Sequence, residues 1–297
     1  MADQQDTKFP MVGWTVSGSD FLKPLTEIAF RYLDGGTDTT QPVVKIATPA
    51  ELVAAFDKTG VSLQLADELY GHCDPVSMGG DWLAAALNTN VHTYEVAPVF
   101  IVMERAVIDK FARVIGPEFA KHHEGLFVPG CSIANLYGML LARFRVDPDV
   151  RTRGMAGGPM LVAFVSDQAH YSYQKSAMVM GLGLNNIVAV KSDIMGAMLP
   201  EELEAEVVKA RAAGKLPFFV GATAGSTVTG AFDDFNKLAD ICAKESMWLH
   251  VDGAWGGCAL LSSMHRVNLC AGIERIDSFA FDAHKLMAMP VQCAGFL

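Results

Sequence analysis

Short apolar runs alternate with amphipathic stretches through the second half of the chain. The apolar runs have the length and the β-branched and aromatic content of buried strands, and they occupy residues 160–165, 187–191, 217–221 and 248–252. The stretches between them place apolar residues at helical spacing, which predicts the helices 132–146, 171–181, 200–213 and 234–246. Strands that alternate with helices form a mostly parallel sheet with helices on both faces, so the predicted fold class is α/β.

The first third of the chain shows helical spacing without clear strands. Apolar residues recur at helical spacing over 21–33, and Thr48 followed by Pro49 is typical of the N-cap and first turn of another helix. Two further helices are predicted over 81–87 and 98–115. We expect residues 1–47 to form an N-terminal arm with one helix and residues 48–297 to form one large domain.

The composition is that of a globular protein. The 297 residues are 51% hydrophobic and 19% charged, and the net charge of −10 argues against a nucleic-acid partner because no basic stripe is present. The longest uncharged run, 176–190, is too short to span a bilayer, and the N-terminus lacks the layout of a signal peptide. Six cysteines without a C-x-x-C pair indicate reduced thiols. We therefore expect a cytoplasmic protein without a membrane partner.

Two segments near the C-terminal end carry the strongest chemical signal. The run 248–252 ends in a carboxylate, Asp252, and small residues follow it that would let a flat group lie close. The run 278–285 ends in Lys285 beside apolar residues, whose desolvation lowers the pKa of an amine and frees it for attack. Pyridoxal phosphate requires such a pair, a carboxylate at its ring nitrogen and a Schiff-base amine. Each segment alone is as compatible with a capping aspartate or a surface lysine, and the two together favour the cofactor.

Other polar residues lie where ligands bind in parallel sheets, in the loops that follow the strands. His170 follows a predicted strand and could stack on an aromatic ring, relay protons or cap the next helix. Cys131 and Ser132 open the helix 132–146, where backbone N–H groups attract an anion, although an ordinary serine N-cap would look the same. A metal pair of His250 and Asp252 lacks a third ligand at a sensible spacing.

Signatures of several other enzyme classes are missing from the sequence. It contains no Gly-x-Ser-x-Gly elbow, no His-Glu-x-x-His pair and no phosphate-binding loop of the Gly-x-x-x-x-Gly-Lys-Ser/Thr type. Gly181 and Gly183 lack the third glycine of a dinucleotide-binding motif, and Gly181 is better explained as the end of a helix. Nicotinamide chemistry is therefore poorly supported.

Four motifs resemble those of the group II pyridoxal-phosphate decarboxylases, in particular the branch that contains glutamate and cysteine sulfinate decarboxylases. They lie at 167–172, 222–233, 250–257 and 284–285, and the resemblance covers about 78–297. It implies the aspartate-aminotransferase-like fold of pyridoxal-phosphate fold type I. That fold has a seven-stranded, mostly parallel large domain, an N-terminal arm and a small C-terminal domain, and it is assembled as a homodimer.

The resemblance also implies a role for each of several residues. Lys285 would carry the cofactor and act as acid and base at the substrate Cα, and His170 would stack on the ring. The remaining cofactor contacts would be Asp252 at the ring nitrogen, Ala254 beneath the ring, Thr227 near the phenolic oxygen, Cys131 and Ser132 at the phosphate, and His284 at the phosphate and Lys285. Substrate would meet Glu68 and Asn88. No metal is implied.

Two substitutions distinguish the chain from the family pattern. The family usually has Asn-Pro before His-Lys, whereas this chain has Asp282-Ala283. An aspartate there would repel a phosphate, so we expect Asp282 to turn away or to accept a hydrogen bond elsewhere. Glu68 stands where the family has a glutamine that binds the substrate carboxylate, and a glutamate would repel an acidic side chain.

The resemblance implies that an amino acid loses its α-carboxylate as CO2. The amino acid is expected to be acidic: glutamate, cysteine sulfinate or aspartate. The chain ends in an apolar run at Leu297, where the family's small domain would follow, so that domain is expected to be missing. The alternatives are another fold-type I enzyme, such as an aminotransferase or a lyase, and a truncated protein that binds the cofactor without catalysis.

Overall fold

The computed structural model describes most of the chain beyond its N-terminal quarter. The residues that it describes are 74–297 with Lys23, Thr26 and Glu27. The chain divides into two compact units, Met1–Pro75 and Val76–Leu297. Apart from those three residues, which are helical, the helix predicted over 21–33 lies outside the described residues, as do the helix predicted from Thr48 and Glu68. The division of the chain at residue 48 stays a prediction.

Helices precede and separate the strands of the described region. In chain order the α-helices are α1 Pro75–Leu87, α2 Pro98–Ile115, α3 Cys131–Val146, α4 Val150–Arg153, α5 Ser172–Val179, α6 Pro200–Ala212, α7 Phe235–Glu245, α8 Ser263–Leu269 and α9 Ala283–Leu286. Short 3₁₀ segments lie at Phe119–Lys121, Leu184–Asn186, Gly256–Leu261 and Ile273–Arg275. None of the helices described has both the length and the apolar character that a bilayer-crossing segment needs.

One seven-stranded sheet organises these residues. Its strands are β1 Leu126–Val128, β2 Leu161–Ser166, β3 Ile187–Val190, β4 Leu216–Thr223, β5 Trp248–Asp252, β6 Ser278–Asp282 and β7 Ala294–Phe296. The spatial order is β1-β7-β6-β5-β4-β2-β3. The strands β2 to β6 pair in parallel, whereas β7 runs antiparallel to both β6 and β1. The predicted seven-stranded, mostly parallel α/β fold is confirmed.

Helices cover both faces of the sheet, as the pattern predicts. Side chains alternate between the faces along a strand. Phe164 of β2 belongs to a core cluster with residues of α2, α6 and α7, and its neighbour Ala163 belongs to a cluster with residues of α3 and α5. The strands are therefore buried on both sides, which explains their nearly continuous apolar sequence.

Most element bounds agree with the prediction, with one clear exception. Helix 98–115 and strand 248–252 are found as predicted, and the other elements predicted after residue 130 differ by one or two residues at an end. Helix α1 begins at Pro75 rather than at residue 81, so the prediction of its start was wrong. Proline suits the first turn of a helix, and two internal glycines, Gly79 and Gly80, weaken a helix without ending it.

The strand order brings the carboxyl ends of three strands together. Asp252 at the end of β5 is paired with Thr223 of β4 and with Ala280 of β6. Asp282 at the end of β6 is paired with Ala294 of β7. The loops that carry the candidate residues therefore converge at this edge of the sheet.

Candidate functional site

The centre of the site is a buried carboxylate whose two oxygens are both hydrogen-bonded. Asp252 ends β5 and is 6% exposed. Its Oδ1 accepts the backbone N–H of Ala254 at 3.0 Å, and its Oδ2 accepts Nδ2 of Asn135 at 2.7 Å. These bonds compensate part of the cost of burying a charge. They also fix the carboxylate and leave acceptor capacity for a protonated nitrogen.

Asn135 connects this carboxylate to a second buried group. It lies on the buried side of α3, and its Nδ2 is also 2.9 Å from the hydroxyl of Ser172. Its Oδ1 lies 2.9 Å from Nε2 of His250. Because the amide donates to Asp252, its oxygen must accept, so Nε2 of His250 carries the proton.

The other ring nitrogen of His250 completes the network. Nδ1 lies 2.8 Å from the hydroxyl of Ser278, and that hydroxyl accepts Nε1 of Trp248 at 2.7 Å. The serine proton is thereby directed to Nδ1. Burial lowers the pKa of His250 to about 3. The imidazole is therefore neutral near pH 7, with one defined tautomer. With both nitrogens engaged, His250 offers no lone pair to a metal.

Sequence reasoning missed Asn135, Ser172 and Ser278. The contacts that give them a role join helices and strands far apart in the chain. One signal could have identified Asn135, because it is a lone amide in the stripe that α3 buries, between Ala134 and Gly138. A buried amide in an otherwise apolar stripe calls for a polar partner.

The candidate amine follows the next strand and faces an acid. Lys285 lies in the single turn α9, and its Nζ is 3.1 Å from Oδ2 of Asp282. Their side chains are 17% and 6% exposed. The other oxygen, Oδ1, accepts the backbone N–H of Cys131 at 3.0 Å. We expected Asp282 either to turn away or to accept a hydrogen bond elsewhere. It accepts a hydrogen bond and does not turn away. It points at Lys285 and at the first residue of α3.

His284 is anchored to the loop that leads into β7. Its Nδ1 lies 3.0 Å from the backbone nitrogen of Cys293 and 2.8 Å from the backbone oxygen of the same residue. Its Nε2 lies 3.8 Å from Oδ2 of Asp282. The side chain is buried.

His170 lies within electrostatic reach of the same charged residues. Burial lowers its pKa, the carboxylate of Asp252 acts in the opposite direction, and the ammonium of Lys285 lowers it further. Its Nδ1 accepts the backbone N–H of Ser172, the first residue of α5, at 3.2 Å. That bond fixes the ring 4.3 Å from the ring of Tyr171, measured between centroids.

Cys131 lies near the charges of Asp252, Asp282 and Lys285, and its thiol is unreactive. Burial raises the pKa of its thiol well above the usual value, and the carboxylates of Asp252 and Asp282 raise it further. The thiol is therefore protonated and inert near neutral pH. Ala254, partly buried, packs against the small core cluster that contains Cys131.

Three other candidate residues are not joined to this cluster. Ser132 and Thr227 are exposed, and no hydrogen bond within the described part of the chain links either side chain to Asp252 or Lys285. Asn88 is exposed and ends α1 in the left-handed conformation, with φ of 44°. Its N–H bonds to the carbonyl of Ala84 at 3.1 Å, which is a helix-terminating contact.

The glycine after Asp252 is explained by packing. A Cβ on Gly253 would lie 2.5 Å from the ring of Phe279, and a Cβ on Gly256 would lie 2.6 Å from the carbonyl oxygen of Ala224. These small residues let β5 and its loop approach the neighbouring strands closely. Packing against Phe279 and Ala224 thus requires glycine at 253 and 256, and the expectation that the small residues admit a flat ligand stays a prediction.

The donor set fits one end of pyridoxal phosphate better than the other. A buried, doubly held carboxylate and a nearby amine suit the ring nitrogen and the aldehyde carbon. At the phosphate end, the N–H of Cys131 is already bonded to the acid Asp282. Among the described residues, no group of three or more His, Cys, Asp or Glu side chains is arranged to hold a metal ion.

Comparison with known sequences places the chain among decarboxylases. The sequence model of a family described as the pyridoxal-dependent decarboxylase conserved domain matches residues 44–297. The human protein named acidic amino acid decarboxylase GADL1 is 45% identical over 276 residues, which are 93% of this chain and 51% of that protein. A bovine protein of the same name is 45% identical over 231 residues, 78% of this chain and 44% of that protein. The chain thus spans about half the length of the curated relatives that it matches.

Solved structures show the same architecture. The crystal structure of mouse CSAD superimposes with a TM-score of 0.80 at 36% identity, covering 92% of this chain and 63% of that one. The glutamate decarboxylase domain of a Vibrio parahaemolyticus diaminobutyrate-pyruvate transaminase and L-2,4-diaminobutyrate decarboxylase gives a TM-score of 0.75 at 26% identity, covering 97% and 68%. The sheet and the helices that surround it are therefore shared with decarboxylases.

Proposed function

This chain belongs to the pyridoxal-dependent decarboxylase family, and from that premise we propose that it removes the α-carboxylate of an acidic amino acid as CO2. The candidate substrates are glutamate, cysteine sulfinate and aspartate. Similarity to a relative named acidic amino acid decarboxylase supports this substrate class. The class of reaction is that of a carboxy-lyase with pyridoxal phosphate as cofactor.

The arrangement around Asp252 is the observation that carries the proposal. This carboxylate is buried and is held at both oxygens by Asn135 and by the N–H of Ala254. His170 lies within electrostatic reach of both Asp252 and Lys285. An acid, an aromatic ring and an amine in one buried place are what a pyridoxal enzyme needs.

Pyridoxal phosphate, when bound, supplies an electron sink for the pair of electrons that the departing CO2 leaves at Cα. The part of Asp252 in this chemistry is to keep a proton on the ring nitrogen, since a fixed carboxylate favours a positive partner. Its hydrogen bonds from Asn135 and Ala254 hold its direction, so no reorganisation is needed during the reaction.

Lys285 and His170 would supply the other two main contacts with the cofactor. Lys285 would bind the cofactor covalently and later deliver a proton from Nζ to the substrate Cα. His170 would lie against the ring, in the orientation that its bond to the N–H of Ser172 fixes. The lowered pKa of His170 keeps it neutral near pH 7, which suits a stacking group.

The other assignments remain part of the proposal. Ala254 would lie beneath the ring and Thr227 near its phenolic oxygen, and Glu68 and Asn88 would meet the substrate. Cys131, Ser132 and His284 would surround the phosphate. The position of Cys131 at the start of a sixteen-residue helix supports this, because such a terminus favours anions.

We also propose that the chain forms a homodimer and works in the cytoplasm. Helix α2 exposes an apolar face of Val99, Val102, Met103 and Val107, whose exposed fractions are 63%, 55%, 57% and 46%. Contiguous exposed apolar residues of this kind mark interaction surfaces. The cysteines of the described region are free, which fits a reducing compartment.

The test measures CO2 released from glutamate, cysteine sulfinate and aspartate, each labelled in the α-carboxylate, with added pyridoxal phosphate. We expect release from at least one of them, and a fall on the order of 10³-fold or more in Lys285→Ala. Release from an aromatic amino acid instead would reject the acidic class. A keto acid without CO2 would indicate an aminotransferase, and a bound cofactor with no product would indicate a non-catalytic protein.

A further inference from the structure

The carboxylate of Asp282 contacts two groups that the proposed function assigns to the cofactor, the N–H of Cys131 and the amine of Lys285. It is buried, and its Oδ1 accepts the backbone N–H of Cys131 at 3.0 Å. Its Oδ2 lies 3.1 Å from Nζ of Lys285. One carboxylate thus bridges the start of α3 and the amine that would bind the cofactor.

The first of these contacts places an anion where a phosphate would bind. The N–H groups in the first turn of a helix have no partner within the helix, and together with the helix dipole they attract negative charge. Asp282 meets that need from within the protein. A phosphate that approached the same N–H would meet a buried carboxylate, and like charges in a site of low dielectric repel strongly.

The second contact engages the amine itself. Nζ of Lys285 lies 3.1 Å from Oδ2 of Asp282, so it must leave this carboxylate before it can attack a carbonyl carbon. For the phosphate to bind, Asp282 must release the N–H of Cys131. The same carboxylate therefore opposes both the phosphate and the aldehyde of one ligand.

We propose that Asp282 is a specificity-determining residue that competes with the phosphate group of the cofactor at the start of α3. The proposal rests on the proposed function, because it takes the site to be that of a pyridoxal derivative. It requires the unchanged protein to bind pyridoxal phosphate only slightly more tightly than pyridoxal, which lacks the phosphate. Removal of the negative charge at position 282 should increase the preference for pyridoxal phosphate.

The test compares dissociation constants of the two ligands in the whole chain. Asp282→Asn keeps the shape and an acceptor for the N–H of Cys131 but removes the charge. Asp240→Asn is the matched control, since Asp240 is an exposed acid of α7, paired with Arg275, whose loss changes the net charge equally. Binding is followed by the absorbance of the bound ligand, and covalent attachment by borohydride reduction and mass spectrometry.

In Asp282→Asn we expect the dissociation constant of pyridoxal, divided by that of pyridoxal phosphate, to rise about tenfold or more. A tenfold rise corresponds to about 1.4 kcal/mol of binding free energy. The ratio in Asp240→Asn should equal that of the unchanged protein. Any general effect on Lys285 cancels in the ratio, because both ligands carry the same aldehyde. Asp282→Ser is a second variant, and the melting temperature of each unliganded variant checks folding.

An unchanged or lower ratio in both Asp282 variants, with ligand still bound to Lys285, would overturn the inference and leave the proposed function standing. Attachment of neither ligand in any variant would instead overturn the cofactor assignment and the inference with it. A higher ratio in Asp240→Asn as well would show that overall charge, not Asp282, sets the discrimination.

Discussion

Asn135 decides the orientation of two buried polar groups in the site. Its amide donates to Asp252 and accepts from His250, so one side chain fixes the direction of the carboxylate and the tautomer of the imidazole. Removal of such a linker leaves a buried acceptor and a buried donor unpaired. Unpaired buried groups each cost about 1–3 kcal/mol.

We therefore expect Asn135→Leu to lower the free energy of unfolding by about 2–5 kcal/mol, as two buried groups lose their partner. The decarboxylation rate should also fall, because Asp252 loses the hydrogen bond from Asn135 that fixes its orientation. Urea denaturation and CO2 release measure the two effects. Ser172→Ala is the control, since it removes a single bond to the same amide and should cost about 1 kcal/mol. Equal losses in both variants would contradict the linking role.

His250 makes stability depend on pH. Its pKa is about 3 in the folded chain because of burial, whereas an unfolded histidine titrates near the usual value of about 6.5. Between these values the unfolded state binds the proton and the folded state does not. The stability that the neutral ring supports is therefore complete above about pH 6.5 and is lost as the pH falls towards 3.

We expect the free energy of unfolding to fall more steeply below pH 6.5 in the unchanged protein than in His250→Gln. The difference in slope approaches about 1.4 kcal/mol per pH unit for one group. Urea denaturation at a series of pH values measures it. His265→Gln provides the comparison because His265 is exposed on α8, and its curve should follow that of the unchanged protein. Parallel curves for all three proteins would refute the assignment.

At the scale of elements, α3 reaches the sheet only because it lacks a side chain at one position. A Cβ on Gly138 would lie 2.9 Å from Nδ1 and 3.1 Å from Cγ of His250. Gly80 of α1 is the opposite case, since a Cβ there meets nothing within 4 Å. The same replacement should therefore have opposite signs in the two helices.

Gly80→Ala should raise stability by about 0.5–1 kcal/mol through helix propensity. Gly138→Ala should lower it by about 1–3 kcal/mol, because the clash with a ring that cannot move outweighs the same propensity gain. Thermal and urea unfolding of both variants measure the two effects. Stabilisation in both would mean that α3 has room to shift away from β5.

The elements that sequence predicts well are those whose burial pattern is local. Strand 248–252 and helix 98–115 carry their periodicity within themselves, so their bounds agree with the structure. Strand β1 has three residues, too few for a periodic signal, and its antiparallel pairing with β7 stabilises it. The direction of Asp282 depends on a contact 151 residues away in sequence, which no local pattern contains.

At the scale of the whole molecule, α2 exposes an apolar face that is not covered within the described region. The apolar residues of α2 recur at 99, 102, 103 and 107, all exposed, while Ile108, Phe111 and Ile115 of the same helix are buried. A helix that buries one apolar stripe and exposes another offers the second to a further surface. In the proposed homodimer that surface is the same face of a second copy, since a two-fold interface is self-complementary.

We expect Val102→Glu to shift the assembly towards the monomer, because a two-fold axis places the two new charges in the same apolar interface, where unpaired charges are costly. The control is Val208→Glu on α6, a valine 66% exposed and outside the α2 face, so the substitution and the charge change are identical. Light scattering after size-exclusion chromatography gives the mass of each variant over a range of concentrations. Dimers at the same concentration in both variants would exclude the α2 face from the interface, and monomers in the unchanged chain would remove the homodimer itself.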